Sequence, residues 1–262
     1  LADRPSALTA TPSLTMSVSH DDGESLFISD LHLTPDQPAT LDCFLRFLAG
    51  RARAARRLYI LGDLFDAWIG DDDDAPLHRA VRSALRELTA AGAECAILHG
   101  NRDFLIGRAF LRETGCRLLP DPCLIRIDGE PTLLMHGDRL CTDDLAYQRF
   151  RRRVRHPLVK RLFLWKSLAS RRAIAADYRR RSAEANAEKT ATIMDVNQQA
   201  VVDTLRRHGA TRLIHGHTHR PADHVHEVDG RAAQRLVLAE WRDGVGEALS
   251  HSASGWRRLA IE

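Results

Sequence analysis

Residues 27–33 read Phe-Ile-Ser-Asp-Leu-His-Leu, an apolar run that breaks off at Asp30 and His32. The same design recurs down the chain: Tyr-Ile-Leu-Gly-Asp-Leu-Phe-Asp at 59–66, His-Gly-Asn-Arg-Asp at 99–103, Leu-Leu-Met-His-Gly-Asp at 133–138 and Ile-His-Gly-His-Thr-His at 214–219. Each places an oxygen or imidazole donor directly after a strand-like run: Asp30, His32, Asp63, Asn101, His136, His217 and His219. The carboxyl ends of strands in an α/β sheet gather at one edge, so donors far apart in sequence can converge there. The one-residue gap in Asp30-x-His32 and His217-x-His219 would put both side chains on one side of an extended segment. Gly62, Gly100, Gly137 and Gly216 permit the sharp turn that each strand end needs.

Working outward from these points, short apolar runs alternate with amphipathic ones. Strands are expected at 26–29, 58–61 and 94–98. Leu41, Phe44, Leu45 and Leu48 predict a helix capped by Thr40 and stopped by Gly50, and Leu77, Val81, Leu85 and Leu88 predict a second, opened by Pro76 and ended by Gly92. Runs at 124–127 and 132–135 joined by Asp128-Gly129 predict a hairpin, and strand signals return at 213–214, 225–228 and 236–238. The expected fold is α/β, two facing mixed β-sheets flanked by helices. Between 142 and 189 the strand rhythm stops, and Leu158, Leu162, Trp165 and Leu168 stand among arginines in helical spacing. The expected organisation is an extension at 1–24, disordered or foreign to the domain and with Met16 a candidate start, then a domain at 25–262 carrying a helical lid insertion at 143–190.

Hydrophobic residues at 44% and charged residues at 28% of 262 exclude both a disordered chain and a membrane-embedded one. No apolar run approaches the ~18 residues of a membrane-crossing helix. The stretch before Ser25 lacks a continuous apolar core, and Cys43, Cys95, Cys116, Cys123 and Cys141 form no Cys-x-x-Cys pair. Both features predict a cytosolic protein with reduced, mostly buried thiols. The net charge of +3 hides an asymmetry: residues 149–181 hold eleven arginines, Lys160 and Lys166 against Asp177, a local +12 that leaves −9 for the remainder. So concentrated a block points to a local anionic partner, whether phosphate, lipid headgroup or RNA.

Carboxylate, amide-oxygen and imidazole donors suit divalent ions of borderline hardness such as Mn²⁺, Fe²⁺ or Zn²⁺, and the lack of thiolates argues against a structural zinc. Seven donors exceed what one ion needs. Sharing Asp63 would make two four-donor sets, an arrangement in which ions ~3.5–4 Å apart activate water and clamp a phosphoryl group. The other nine histidines are read as surface or packing residues.

In their order, Asp-x-His, Gly-Asp-x-x-Asp, Gly-Asn-x-Asp, His-Gly-Asp and Gly-His-x-His resemble the calcineurin-like metallophosphoesterases. That resemblance implies one ion on Asp30, His32, Asp63 and His219 and another on Asp63, Asn101, His136 and His217. Arg102 stands where that family commonly has histidine, so the leaving group should need no proton, as in cleavage of a diphosphate. From about Leu26 to Trp241, longer strings including Pro-Leu-His-Arg at 76–79 and Ile-Met-Asp-Val-Asn-Gln at 193–198 resemble the branch that cleaves UDP-2,3-diacylglucosamine in lipid A biosynthesis. Asp66 departs from it, since glutamate is frequent there. This closer resemblance implies a pair of divalent ions, Mn²⁺ foremost, and water attack on the α-phosphorus to give UMP and 2,3-diacylglucosamine 1-phosphate. It implies catalysis through Asp63, Asn101, Arg102 and His136, and substrate contacts from Asn101, Arg102, Asp144, Ser182, Asn186, Lys189 and His217. Ser182, Asn186 and Lys189 share one helical face by spacing, while Asp144 reads equally as a helix cap.

The basic, apolar insertion would then contact acyl chains and, through 149–181, the anionic cytoplasmic face of the inner membrane, with no nucleic acid expected as partner. Two other readings compete: a general dimetal phosphodiesterase acting on nucleotides or nucleic acid, and a non-catalytic, metal-stabilised scaffold on an anionic membrane. The sequence leaves the oligomeric state open.

Overall fold

Continuous apolar strands belong where both sheet faces are covered, and the computed structural model, which describes residues 16–18, 23–187 and 195–262, places them there. Every residue of β2 (Ser25–Ile28) and β3 (Arg57–Ile60) is buried. With β4 (Glu94–Ile97) and β5 (Arg117–Leu118) they run parallel, and β11 (Gly246–Ser252) and β12 (Gly255–Ile261) extend the sheet antiparallel on the β2 side. The facing sheet has the order β1 (Met16–Val18), β6 (Cys123–Ile127), β7 (Glu130–Leu134), β8 (Arg212–His215), β10 (Arg231–Val237) and β9 (Ala222–Val228). Both sheets mix parallel and antiparallel pairs, as expected from the sequence.

Alternation along each strand divides the core in three. Phe27, Tyr59, Leu61, Ala96 and Leu98 meet Ile125, Leu134, Ile214 and Leu236 between the sheets. Their neighbours Leu26, Ile28, Leu58, Ile60 and Ile97 face outward under α1 (Pro38–Ala49), α3 (Pro76–Ala90) and α4 (Arg108–Thr114), with the short α2 (Arg51–Ala54) following α1. On the other side, Leu133, Met135 and Leu213 pack against Val201 and Leu205 of α8 (Gln198–His208). The insertion holds α5 (Leu145–Val154), α6 (Pro157–Leu164) and α7 (Leu168–Ala187).

Several local expectations change. Helix α1 starts at Pro38, with Gln37 at the cap position and Thr40 inside, because proline's fixed φ and missing N–H suit a first helical turn. The Asp128-Gly129 hairpin forms as expected, with φ of 51° and 79°, the positive pair such a two-residue turn requires. Met16–Val18, assigned by sequence to the extension outside the domain, pairs in parallel with β6 from Met16↔Ile125 to Val18↔Ile127. The β11–β12 hairpin has no counterpart in the sequence reading, since its polar residues break the apolar signal, and only pairing with β2 explains its place.

Phe44 is fully buried edge-on against Trp241, ring centroids 6.1 Å apart. Phe44→Ala should therefore cost about 3–5 kcal/mol of stability by urea unfolding. Val225→Ala, on an exposed edge-strand position, should shift the midpoint negligibly.

Candidate metal centre

Beyond β2, β3, β7 and β8 the chain delivers Asp30 and His32, Asp63, His136, and His217 and His219, while the turn after β4 delivers Asn101 and Arg102. The Asp-x-His spacing does not work through extended backbone, as the sequence suggested. Asp30, His32, Asp63, His217 and His219 all sit in the left-handed region, with φ of 56°, 45°, 53°, 70° and 54°. Such backbone in non-glycine residues is held only where surrounding structure enforces it, and it clusters at functional sites. The enforcing bonds run between strand ends: Asp30 N–H to Gly62 O at 3.1 Å, His32 N–H to Asp63 O at 3.0 Å, and Gly216 N–H to His136 O at 2.9 Å. Gly100 and Gly216 are needed for close approach, because a Cβ on either would lie 2.1 Å from a carboxylate oxygen of Asp63 or Asp30 respectively.

Two clusters result. Asp30, His32 and His219 form one, with His32 Nε2 and His219 Nε2 3.2 Å apart and His219 Nε2 3.5 Å from Asp30 Oδ1. Asp30, Asp63 and His136 form the other, and His136 Nε2 lies 2.8 Å from Asn101 Oδ1. Asp63 Oδ2 sits between the two, 3.8 Å from His32 Nε2 and 3.7 Å from His136 Nε2. His217 is in neither cluster; its ring packs beside His136, centroids 5.0 Å apart, and its backbone N–H donates to Asp30 Oδ2 at 2.8 Å.

This donor set fits divalent cations. His136 Nδ1 lies 2.9 Å from the Leu61 carbonyl and must donate to it, so the neutral ring presents a lone pair at Nε2 toward Asn101 Oδ1, itself an acceptor. Protonated, the ring donates from Nε2 to Asn101 Oδ1; deprotonated, it frees that lone pair for a cation. The buried Asp30 Oδ1 has no hydrogen-bond partner. Burial opposes charging His136, but Asp63, Asp30 and Asp138 outweigh it and raise its pKa to about 9. His219 likewise overcomes burial, through Asp30 and Glu240, and reaches about 10. Burial pushes Asp63 up to about 6, and keeps His32 and His217 neutral at about 4 and 3. Without metal, protons on His136 and His219 supply the charge that buried carboxylates demand.

Residues 25–221 match the calcineurin-like phosphoesterase family. The chain belongs to that family. Enzymes of the family work with two-metal centres. Among curated relatives, the UDP-2,3-diacylglucosamine hydrolase of Edwardsiella ictaluri is 54% identical over 83% of this chain and 84% of its own length. Proteins of the same name from Aromatoleum aromaticum, 54% identical over 84% and 89%, and Pseudomonas paraeruginosa, 51% over 89% and 97%, match similarly. Likeness to solved structures is more distant, as with Vacuolar Protein Sorting 29 of Cryptosporidium parvum at 14% identity and a TM-score of 0.44 over 91% of this chain and 96% of that one.

Around this phosphoesterase centre, Arg102 donates its backbone N–H to Asp63 Oδ1 at 2.8 Å, and its Nη1 lies 3.4 Å from Asp66 Oδ1. Asp66 also pairs with Arg179 of α7, tying the insertion to the rim. Asp144 caps α5, accepting from Tyr147 N–H at 3.0 Å. Ser182 is exposed on α7, Asn186 lies in that helix near its end, and Lys189 falls outside the described residues. Sequence reasoning quoted Asp103 and Asp138 within motifs but gave them no role. Asp103 is fully buried and accepts from Gly100 N–H and Leu64 N–H, both at 2.8 Å, so it shapes the Asn101 turn. Asp138 receives Tyr147 Oη at 2.8 Å and Arg151 Nε at 2.6 Å. Glu240, 3.2 Å from His219 Nδ1, had no motif to mark it.

Loading with divalent metal at pH 7.5 should release roughly two protons per chain, from His136 and His219, countable by calorimetry in buffers of different ionisation heat. Affinity should accordingly fall as pH is lowered; a proton count near zero would contradict the arrangement. Asp63→Ala should lose at least one metal per chain by elemental analysis and lower phosphoesterase turnover by ~10³ or more. Asp229→Ala, which removes a surface partner of Arg206, should change neither.

Proposed function

We propose that this chain hydrolyses the diphosphate of UDP-2,3-diacylglucosamine, releasing UMP and 2,3-diacylglucosamine 1-phosphate, with Mn²⁺ as its metal. The observation that carries the reading is a cluster of carboxylate, imidazole and amide-oxygen ligand groups with a guanidinium at its rim, in a chain whose curated relatives bear the name of that hydrolase. Asp30, His32, Asp63 and His219 would hold one ion, and Asp63, Asn101, His136 and His217 the other. A bound pair supplies activation of water and neutralisation of the diphosphate charge.

The chain's own groups supply the rest. His136 is oriented by its Nδ1–H bond to Leu61 O, and Asp63 by the Arg102 N–H. Arg102 can present two parallel donors to phosphate oxygens, a geometry matched by no ammonium group. Asp66 holds that guanidinium at the rim from one side. A sugar 1-phosphate leaves as an anion and needs no proton, consistent with arginine in the position where a histidine acid would be expected. Substrate contacts from Asp144, Ser182, Asn186, Lys189 and His217 belong to the same proposal; for Asp144 the backbone cap is its visible role.

Helices α5 to α7, within residues 143–190, act in this reading as a lid over the lipid. No helix among the described residues is long and apolar enough to cross a membrane. Contact with the cytoplasmic face of the inner membrane would instead run through α6 and its C-terminal neighbour, where Leu158, Leu162 and Trp165 are 63%, 59% and 70% exposed. The arginine block is divided in its duties. Arg151 and Arg155 hold Asp138, Arg171 and Arg172 hold Asp72 and Asp73, and Arg179 holds Asp66, so these are not surface charges awaiting lipid. Arg149, Arg152, Arg153, Arg161 and Lys166, together with Arg180 and Arg181, which share the single Asp177, are the exposed cations left for an anionic bilayer.

Hydrolysis in ¹⁸O-labelled water should place the label in UMP and none in the lipid phosphate; label in the lipid would mean that the other phosphorus is attacked. Leu162→Ser with Trp165→Ser should remove at most ~3–6 kcal/mol of apolar contact, so turnover of the diacylated substrate should fall steeply. Turnover of a small soluble phosphodiester should stay near the parent value, and equal loss on both would make these residues structural supports. Charge reversal at Arg152 and Arg153 should weaken binding to anionic vesicles, and binding by the parent should fade as salt rises.

A further inference from the structure

Five free cysteines are all buried, yet two of them are neighbours across a strand pair. β4 and β5 run parallel with Ala96 opposite Arg117 and Ile97 opposite Leu118, so one step back in register sets Cys95 beside Cys116. Core alternation agrees independently. Cys95, Ile97 and Cys116 face the helix-covered side, whereas Ala96, Leu98 and Leu119 face the space between the sheets. Both thiols are buried within the same core layer under the helices. Adjacent strands lie about 4.8 Å apart, inside the Cα separation of roughly 4.4–6.8 Å that a disulfide bridges.

Edge position supplies the remaining freedom. β5 is two residues long and is the last strand of its sheet, bound on one side only, so Cys116 can adjust without disturbing a central pairing. Cys95 lines an open cleft of about 420 Å³ that also meets Thr89, Ala93 and Gly115, a path for a small oxidant.

We propose that Cys95 and Cys116 form an oxidisable dithiol, closed to an intramolecular disulfide by hydrogen peroxide and reopened by a thiol reductant. Cys95, which lines the cleft, is the first nucleophile. Its thiolate attacks one peroxide oxygen, the O–O bond breaks, and the departing hydroxide takes up the thiol proton as water. The Cys116 sulfur then attacks the sulfenic sulfur of Cys95, the S–S bond forms, the S–O bond breaks, and the second hydroxide leaves as water with the Cys116 proton. Two thiols lose two electrons and one peroxide becomes two waters. Cys43, Cys123 and Cys141 take no part: Cys123 lies in the core between the sheets, Cys141 in the core under α8, and Cys43 on α1 with its thiol against the Ile261 carbonyl at 3.8 Å.

The test is to treat the folded full chain with hydrogen peroxide, quench, alkylate after unfolding, and map the peptides by mass spectrometry. A cross-linked pair of peptides containing Cys95 and Cys116, lighter by two hydrogens and restored by dithiothreitol, is expected, with Cys43, Cys123 and Cys141 alkylated in full. The melting temperature should rise by several degrees on oxidation and return on reduction, because the link restricts the unfolded chain. In Cys116→Ser the link and the melting shift should both vanish. Sulfinic acid at either residue without a link, a link to Cys123, or a link found only after the protein is unfolded first would overturn the proposal. The parent protein alone suffices for these readings should the variant fold poorly.

Discussion

Two carboxylates, Asp30 and Asp63, are withdrawn from water at the edge where the two sheets meet. An ionised group in that position is costly unless donors and positive charge surround it. The surroundings supply both. His217 N–H and Arg102 N–H donate to them at 2.8 Å each, and the raised pKa values of His136 and His219 show the same demand met by protons. Gly100 and Gly216 let the backbone reach those oxygens where any side chain would collide. Left-handed backbone at five of the donor residues costs about 1–2 kcal/mol each, and the strand ends around them hold it in place. Positive charge at this site, from protons on His136 and His219 or from bound cations, offsets the burial of the two carboxylates, so the chemistry and the fold are linked here.

The acidic run at 71–74 and the basic insertion are two halves of one device. Asp71 accepts from Gly107, Ala109 and Phe110 N–H and thereby fastens the start of α4. Asp72 receives the guanidinium of Arg171, which is itself almost completely buried, Asp73 receives Arg172, and Asp74 pairs with Arg79. Arg155 adds a hydrogen bond to Gly100 O and Lys160 one to Phe104 O, so the insertion grips the very turn that presents Asn101. Opposite charge segregated along the chain therefore becomes local pairing in space, and the insertion is positioned against the candidate metal centre by the chain itself.

Strand ends marked by aspartate, histidine and glycine made the α/β arrangement readable from residues 27–33 outward, and they marked Asp30, His32, Asp63, His136 and His219, which the fold gathers into two clusters. Hydrophobic periodicity is a local property, and it survives folding unchanged: the buried strands, the two long helices under the first sheet and the Asp128-Gly129 hairpin all follow from it. Three matters were decided in three dimensions. The left-handed turns at Asp30 and His32 depend on hydrogen bonds to Gly62 and Asp63 some thirty residues away. Asp103, Asp138 and Glu240 gain their roles only from what faces them, since a lone carboxylate in a sequence has no visible partner. The +12 block was visible as a sum, but electrostatic energy depends on the distance between charges, and only the folded chain brings Asp66, Asp72, Asp73 and Asp138 within reach of those arginines.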